Sequence, residues 1–209
     1  MDREDERTRS APDLPGAPAD PGRREAVSLL LASGLTAVAL REPASAAAAA
    51  PDPAREPPRA GDEFVYAEGE RKGRTVTPGD LSAESPFAVT WSKDPASGVV
   101  RSGSRLHRVL LVRLDPAKLD EETKARAAEG GLVAYSGFCT HAGCPIQHWK
   151  AEEGVIYCHC HSSSFDPRAG GKVVGGPARR SLAGLPLKLD GDRLVAAGEF
   201  VGKLGPPKA

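Results

Sequence analysis

The chain has 209 residues, enough for one domain with additional segments. Its 28 basic residues balance 28 acidic residues, so the charge excludes a basic surface for nucleic acid and an acidic interaction tail. The content of 23 glycines and 19 prolines, with 5% aromatic residues, favours a loop-rich fold with long irregular segments.

The N-terminal part of the chain is predicted to direct export. Residues 1–25 mix charge with Pro, Ala and Gly, and are predicted to be disordered. Residues 26–40 are uncharged over 15 positions. A bilayer span needs about 20, so an export signal is favoured and an uncleaved membrane anchor is the alternative. Arg23 and Arg24 stand before this segment, as in twin-arginine signals for folded proteins. A chance pair in an Arg-rich segment would look the same.

Residues 41–61 are dominated by Ala and Pro and are predicted to be a semi-rigid linker. Residues 62–209 are predicted to be the folded domain. An N-cap and first-turn pair at Asp115-Pro116 predicts an amphipathic helix that runs to Gly130. Runs rich in Val, Leu and aromatic residues predict strands at 63–68, 86–92, 106–114, 132–136, 155–157, 185–189 and 193–197. The predicted fold is therefore mainly β with one helix.

Two short cysteine–histidine boxes dominate this domain: CTHAGC at Cys139–Cys144 and CHCHS at Cys158–Ser162. All 4 cysteines of the chain fall within them, which indicates one local site. The C-x-H and C-x-x-H spacings supply two thiolates and two imidazoles, the ligand set of a [2Fe–2S] cluster with Cys on one iron and His on the other. The ligands assigned in this way are Cys139, His141, Cys158 and His161. A zinc-binding structural module is the alternative, because zinc accepts the same residue types.

The two boxes, with the segment CHSSSFDP, resemble the Rieske iron–sulfur proteins, and the resemblance covers the chain from Leu132 onward. It implies an antiparallel β sandwich whose cluster-binding subdomain lies at hairpin tips. It also implies a disulfide between Cys144 and Cys160, as in the high-potential Rieske subunits of cytochrome bc-type complexes. Such a bridge fits an oxidising compartment. The soluble Rieske ferredoxins of dioxygenases, a further alternative, generally lack both cysteines.

Four residues occupy positions that surround the cluster in that family. Ser163 stands where a Ser hydrogen-bonds a bridging sulfide. Phe165 stands where many quinol-oxidising members carry a Tyr that bonds a cysteine sulfur; Phe has no donor, so a lower potential is expected. Gly176 and Pro177 match the third loop, a turn that covers the cluster. Ser162 replaces the Gly commonly found after the second histidine.

The other three histidines are not expected to bind iron. His107 lies in a predicted apolar strand, and His148 is expected at the surface beside Trp149. The side chain of His159 is expected to point away from the iron.

The resemblance implies an oxidoreductase subunit that carries electrons, since no acid–base or nucleophile arrangement appears outside the boxes. The favoured interpretation is the Rieske subunit of a membrane-associated respiratory enzyme of quinol–cytochrome c reductase type. Its partners would be subunits carrying cytochrome b or c, with a quinol as candidate substrate. Ala142, where such proteins often have Leu, and Phe165 depart from that pattern.

The boxes also resemble the small subunit of periplasmic arsenite-oxidase-type molybdenum enzymes, whose partner is a molybdopterin subunit. Both interpretations imply a periplasmic location or the outer face of the cytoplasmic membrane, with membrane attachment through the N-terminal segment. No nucleic-acid partner is expected.

Overall fold

The computed structural model describes residues 52–207, so the predicted tail at 1–25 and the predicted export segment at 26–40 lie outside the described residues. The strands within this range are β1 (Glu63–Tyr66), β2 (Phe87–Lys93), β3 (Val109–Arg113), β4 (Leu132–Ser136), β5 (His148–Lys150), β6 (Val155–Cys158), β7 (Ser163–Asp166), β8 (Lys172–Gly175), β9 (Leu187–Asp190) and β10 (Arg193–Ala196).

The strands form two sheets in which every pair is antiparallel. The larger sheet has the order β4-β3-β2-β1-β10-β9, so the C-terminal hairpin of β9 and β10 pairs with the first strand. The smaller sheet is a meander in the order β5-β6-β7-β8. The prediction of a mainly β, antiparallel fold is confirmed.

The hydrophobic core lies on both faces of the larger sheet. Residues 109–112 of β3 are all 0% exposed, and alternate members belong to two separate hydrophobic clusters. Successive side chains of a strand point to opposite faces, so β3 must be covered on both sides. One of these clusters includes Ile156 and Phe165 of the smaller sheet, together with Cys139 and Cys158. The buried cysteines are therefore part of the core between the sheets.

The helix predicted after Asp115 forms only in part. Pro116–Lys118 is a 3-10 turn, and α1 spans only Glu121–Lys124. Asp120 separates the two pieces: its carboxylate accepts the amide hydrogen of Thr123 at 2.7 Å, and its own amide donates to a carbonyl in the β7–β8 connection at 2.9 Å. A capping carboxylate and a tertiary hydrogen bond thus start a second helix where the pattern predicts continuation. Within residues 52–207, no helix is long and apolar enough to cross a membrane.

The sequence does not predict strands β5, β7 and β8 of the smaller sheet. They are three or four residues long and carry polar residues such as the SSFD of β7. They form because each pairs with a neighbouring strand of the smaller sheet, with a shift of register between β7 and β8 at Ser164 and Phe165. Residues 106 and 107, predicted as the start of the third strand, belong instead to the 3-10 turn Arg105–His107, and β3 begins at Val109.

Candidate metal centre

The first cysteine–histidine box is a closed loop on the connection between the two sheets. An isolated antiparallel bridge between Phe138 and Pro145 closes its base. The amide of Cys139 donates to the carbonyl of Cys144 at 2.9 Å, and the amide of Gly143 donates to the carbonyl of Cys139 at 3.0 Å. These backbone bonds fix both cysteines at the ends of the loop.

The second box is the tip of the β6–β7 hairpin. Cys158 pairs in register with Ser163, so residues 159–162 alone make the connection. Ser162 has a φ of 60°, the one positive φ of a non-glycine residue in the described part of the chain. Residues with a Cβ rarely adopt this left-handed backbone, so the surrounding contacts must hold it.

A third loop, which follows β8, packs against the second box. Gly176 has a φ of 77°, and a Cβ there would lie 2.4 Å from the carbonyl oxygen of Ser162 and 2.5 Å from the Cα of Ser163. This close backbone approach requires glycine. The amide of Ala178 donates to the hydroxyl oxygen of Ser163 at 3.2 Å, while Pro177 between them is exposed.

These loops bring the cysteine sulfurs together. The sulfur atoms of Cys144, Cys158 and Cys160 lie within 4.8 Å of one another. Cys139 is in side-chain contact with Cys158, and these two residues are 1% and 0% exposed. The site is therefore a cluster of cysteine side chains, of which Cys139 and Cys158 are shielded from solvent.

The imidazoles of the two boxes contact each other. The rings of His141 and His161 lie edge to face with their centroids 4.6 Å apart. His141 is half-buried and His161 is exposed. The predicted ligands thus separate into buried thiols and imidazoles nearer solvent.

The family model of the Rieske [2Fe-2S] domain matches residues 91–186, which include both boxes and the third loop. These residues are a Rieske [2Fe–2S] domain. The cofactor of such a domain is a Rieske-type [2Fe–2S] cluster, and its role is electron transport. The zinc-module interpretation is therefore set aside.

Relatives of this Rieske domain occur in two kinds of respiratory protein. The cytochrome bc1 complex Rieske subunit of Corynebacterium glutamicum is 42% identical over 103 residues, which are 47% of this chain and 25% of that protein. A putative respiratory nitrate reductase Rieske subunit of Haloferax mediterranei is 39% identical over 107 residues, 51% of this chain and 48% of that protein. The match thus spans about a quarter to half the length of these relatives.

Among solved structures, the plasma membrane Rieske protein of the cyanobacterium Synechocystis is similar at 25% identity with a TM-score of 0.39. The match covers 57% of this chain and 93% of that one.

The donor set of the Rieske domain suits the cluster. The Nδ1 atom of His141 is buried and has no hydrogen-bond partner in the structure. A buried lone pair without a partner costs free energy, and an iron ion bound to it would remove that cost. Thiolates and imidazoles are also the ligands that Rieske iron requires.

The three clustered sulfurs alone would suit one mononuclear ion. A two-iron cluster needs a wider set, because it holds its thiolates on one iron and its imidazoles on the other. The separation of buried thiols from the histidine pair fits the wider set. The assignment of Cys139, His141, Cys158 and His161 as the four ligands stays a prediction.

Burial controls the chemistry of the inner cysteine. It raises the pKa of the Cys158 thiol to about 12, because a thiolate is poorly solvated there. Iron binding therefore has to displace a proton that the protein alone would retain.

The two remaining cysteines contact each other. A side-chain hydrogen bond with Cys160 raises the pKa of the Cys144 thiol. The structure holds all four cysteines as unbridged thiols. The Cys144–Cys160 disulfide stays a prediction, and the separation of the two sulfurs, within 4.8 Å, puts it within reach of a small rotation.

Ser163 is buried beside the third loop, and its predicted hydrogen bond to a bridging sulfide stays a prediction. It is 0% exposed, and its oxygen already accepts the amide hydrogen of Ala178. A hydroxyl group both accepts and donates, so the Ser163 hydrogen is left to donate to a sulfur acceptor. Phe165, also 0% exposed, packs in the core beside Cys158 and offers no donor.

Of the other three histidines, two are exposed, and His107 lies in the 3-10 turn Arg105–His107 instead of the predicted strand. His148 and His159 are exposed, and their rings meet edge to face with centroids 4.8 Å apart. His107 is half-buried, and this burial lowers its pKa.

Sequence reasoning missed one contact of the second box, in which the hydroxyl of Tyr157 donates to Ser162 at 3.0 Å. Tyr157 lies in β6 opposite Ser164, whereas Ser162 is the last residue of the loop, so no pairing pattern in the sequence predicts this bond.

Proposed function

We propose that this chain is the Rieske electron-transfer subunit of a membrane-associated respiratory enzyme of quinol–cytochrome c reductase type. The observation that carries the proposal is the contact between the two cysteines, Cys144 and Cys160, that the ligand set does not use. By resemblance, this extra pair is typical of the bc-type branch and absent from dioxygenase ferredoxins. Relatives named as cytochrome bc1 Rieske subunits support it, at 42% identity in one case and 35% in another.

In this proposal Cys139 and Cys158 hold one iron and His141 and His161 hold the other. When bound, the cluster takes up and releases one electron. The two buried cysteines exclude water from the inner iron, whereas the exposed His161 can be reached from outside. The protein thus offers a redox partner one accessible ligand and shields the rest.

The first and third loops carry exposed residues without charge. Ala142 and Pro145 of the first loop and Pro177 of the third loop are exposed. Uncharged side chains at these three positions suit approach by an apolar partner or a quinol, because their desolvation costs little. A Cys144–Cys160 disulfide would hold the two loops in this arrangement, and such a bridge would suit an oxidising compartment, so we propose the periplasm or the outer face of the membrane as the location.

The second candidate is the small electron-transfer subunit of a different respiratory enzyme, a periplasmic arsenite-oxidase-type molybdenum enzyme. The similarity to a putative respiratory nitrate reductase Rieske subunit favours it, at 39% identity. Phe165 also favours it, because it lacks the hydroxyl expected in many quinol-oxidising members.

The test begins with the ligands. Cys139→Ser and His161→Ala are each expected to abolish the Rieske signal in electron paramagnetic resonance of the reduced full-length protein. Cys144→Ala is expected to keep the signal and lose the cluster faster. Stoichiometric iron and sulfide in either ligand variant would refute the ligand assignment.

The partner is tested in the native host. Deletion of the gene is expected to remove quinol–cytochrome c reductase activity from membranes, and the wild-type chain but not Cys139→Ser is expected to restore it. Unchanged quinol oxidation, with loss of arsenite oxidation instead, would overturn the proposal in favour of the second candidate.

A further inference from the structure

Ser162 is the unusual backbone position of the second box. Its φ of 60° is left-handed, and among the described residues every other positive φ belongs to a glycine. A Cβ makes this conformation unfavourable, so it persists only where neighbouring contacts determine it.

One of those contacts is with the third loop. The peptide of Ser162 lies so close to Gly176 that a Cβ on Gly176 would come within 2.4 Å of the Ser162 oxygen. This packing holds the carbonyl side of Ser162.

The second contact is a hydrogen bond to Tyr157. The Tyr157 hydroxyl donates to the Ser162 hydroxyl oxygen at 3.0 Å. The ring of Tyr157 is itself held, because the ammonium of Lys150 lies 4.3 Å from its centroid and 2.9 Å from the carboxylate of Glu153. The side chain of Ser162 is thus tied to a fixed partner.

These two residues border the ligand loop. Tyr157 directly precedes Cys158, and Ser162 directly follows His161. Their side-chain bond therefore closes a ring around residues 158–161. His161 is exposed and lies against the His141 ring, so core packing does not hold it in place.

We propose that Tyr157 and Ser162 are positioning residues for His161. Their hydrogen bond fixes the peptide that carries this imidazole and so selects one orientation of the ring at the cluster. The inference rests on the assignment of His161 as an iron ligand.

The test uses the full-length holoprotein with Tyr157→Phe, Ser162→Ala and the double variant. Each single variant removes the hydrogen bond and retains the rest of the side chain. Loss of one hydrogen bond corresponds to a roughly fivefold faster loss of the cluster to a chelator. The Rieske signal is expected to persist with shifted g-values and broader lines, because the imidazole samples several orientations.

Two controls separate positioning from general stability. Tyr66→Phe removes a buried hydroxyl that has no hydrogen-bond partner, and is expected to leave the signal unchanged. Ser162→Asn keeps an acceptor oxygen, and Asn tolerates left-handed backbone, so this variant is expected to retain the wild-type line shape. The double variant is expected to match the single variants, since both remove one bond.

If a variant does not retain its cluster, hydrogen exchange of the amides of residues 159–163 in the cluster-free protein is the second readout, and faster exchange in Tyr157→Phe is expected. The inference would be overturned if Tyr157→Phe had the same resonance line shape, the same rate of cluster loss and the same rate of amide exchange as the wild type. An additive double variant would do the same. A Rieske signal that survives His161→Ala would instead refute the ligand assignment on which the inference rests.

Discussion

Replacement of Gly176 by Ala tests whether the third loop holds the second box through direct backbone contact. The new methyl group would meet the Ser162 oxygen at 2.4 Å and the Ser163 Cα at 2.5 Å. Neither atom belongs to a flexible side chain, so relief requires movement of a whole loop. The φ of 77° adds a second penalty, because Ala does not adopt this backbone freely.

The magnitude follows from these two effects. Left-handed backbone costs a non-glycine residue about 1–2 kcal/mol. Overpacking costs about 1–3 kcal/mol more. The reduced entropy of the unfolded chain returns roughly 0.5–1 kcal/mol. The free energy of unfolding is therefore expected to fall by about 3 kcal/mol.

The assay is equilibrium unfolding in urea, followed by the fluorescence of the 2 tryptophans. Gly191→Ala is the matched control, because Gly191 has a φ of 59° and a Cβ there would meet nothing within 4 Å. It is expected to lose only about 1 kcal/mol, the cost of the backbone conformation.

Equal losses in the two variants would refute the reasoning, since the close contact of Gly176 would then carry no energy. A second readout is the reduced-state resonance signal. Movement of the third loop withdraws the Ala178 amide from Ser163, so Gly176→Ala is expected to alter this signal and Gly191→Ala is not.

Three further predictions concern the cluster, the core and alkaline pH. Ser163→Ala is expected to keep the cluster and to lower its reduction potential by about 60 mV, which corresponds to the loss of one hydrogen bond to a charged group. A redox titration measures this shift, and an unchanged potential would contradict the role of this hydroxyl. Arg101→Gln is expected to lower the free energy of unfolding in urea by about 3–5 kcal/mol, because it leaves Asp62 buried without its partner. Arg193→Gln, which removes the exposed partner of Asp190, is expected to lower it by less than about 1 kcal/mol. Burial raises the pKa of Tyr135 from 10.0 to about 12, so the stability that its neutral form provides is complete below pH 10 and is lost between pH 10 and 12. The loss is about 2 kcal/mol, and an unchanged slope of stability against pH in Tyr135→Phe would show that another group titrates there.

The strands with apolar runs were predictable from the sequence. Leu132–Ser136 begins and ends as expected, because its five residues are all buried and continuously apolar or small. The length of α1 was not predictable, since a carbonyl from the β7–β8 connection takes the amide of Asp120. That partner is distant in the chain, and no local pattern reports it.

The sequence by itself determined the chemistry of the centre. The spacing of Cys139, His141, Cys158 and His161 sets which ligand types each loop can offer, because the loops are only a few residues long. The tertiary structure decided how those loops are held. The contact of Gly176 with the backbone of residues 162–163 joins segments that lie apart in the chain. The hydrogen bond from the Ala178 amide to Ser163 joins the same two segments. These contacts hold the left-handed backbone of Ser162, which serine does not favour by itself. Residue types and spacing therefore predict the ligands, while only the packing of one loop on another fixes the loops that carry them.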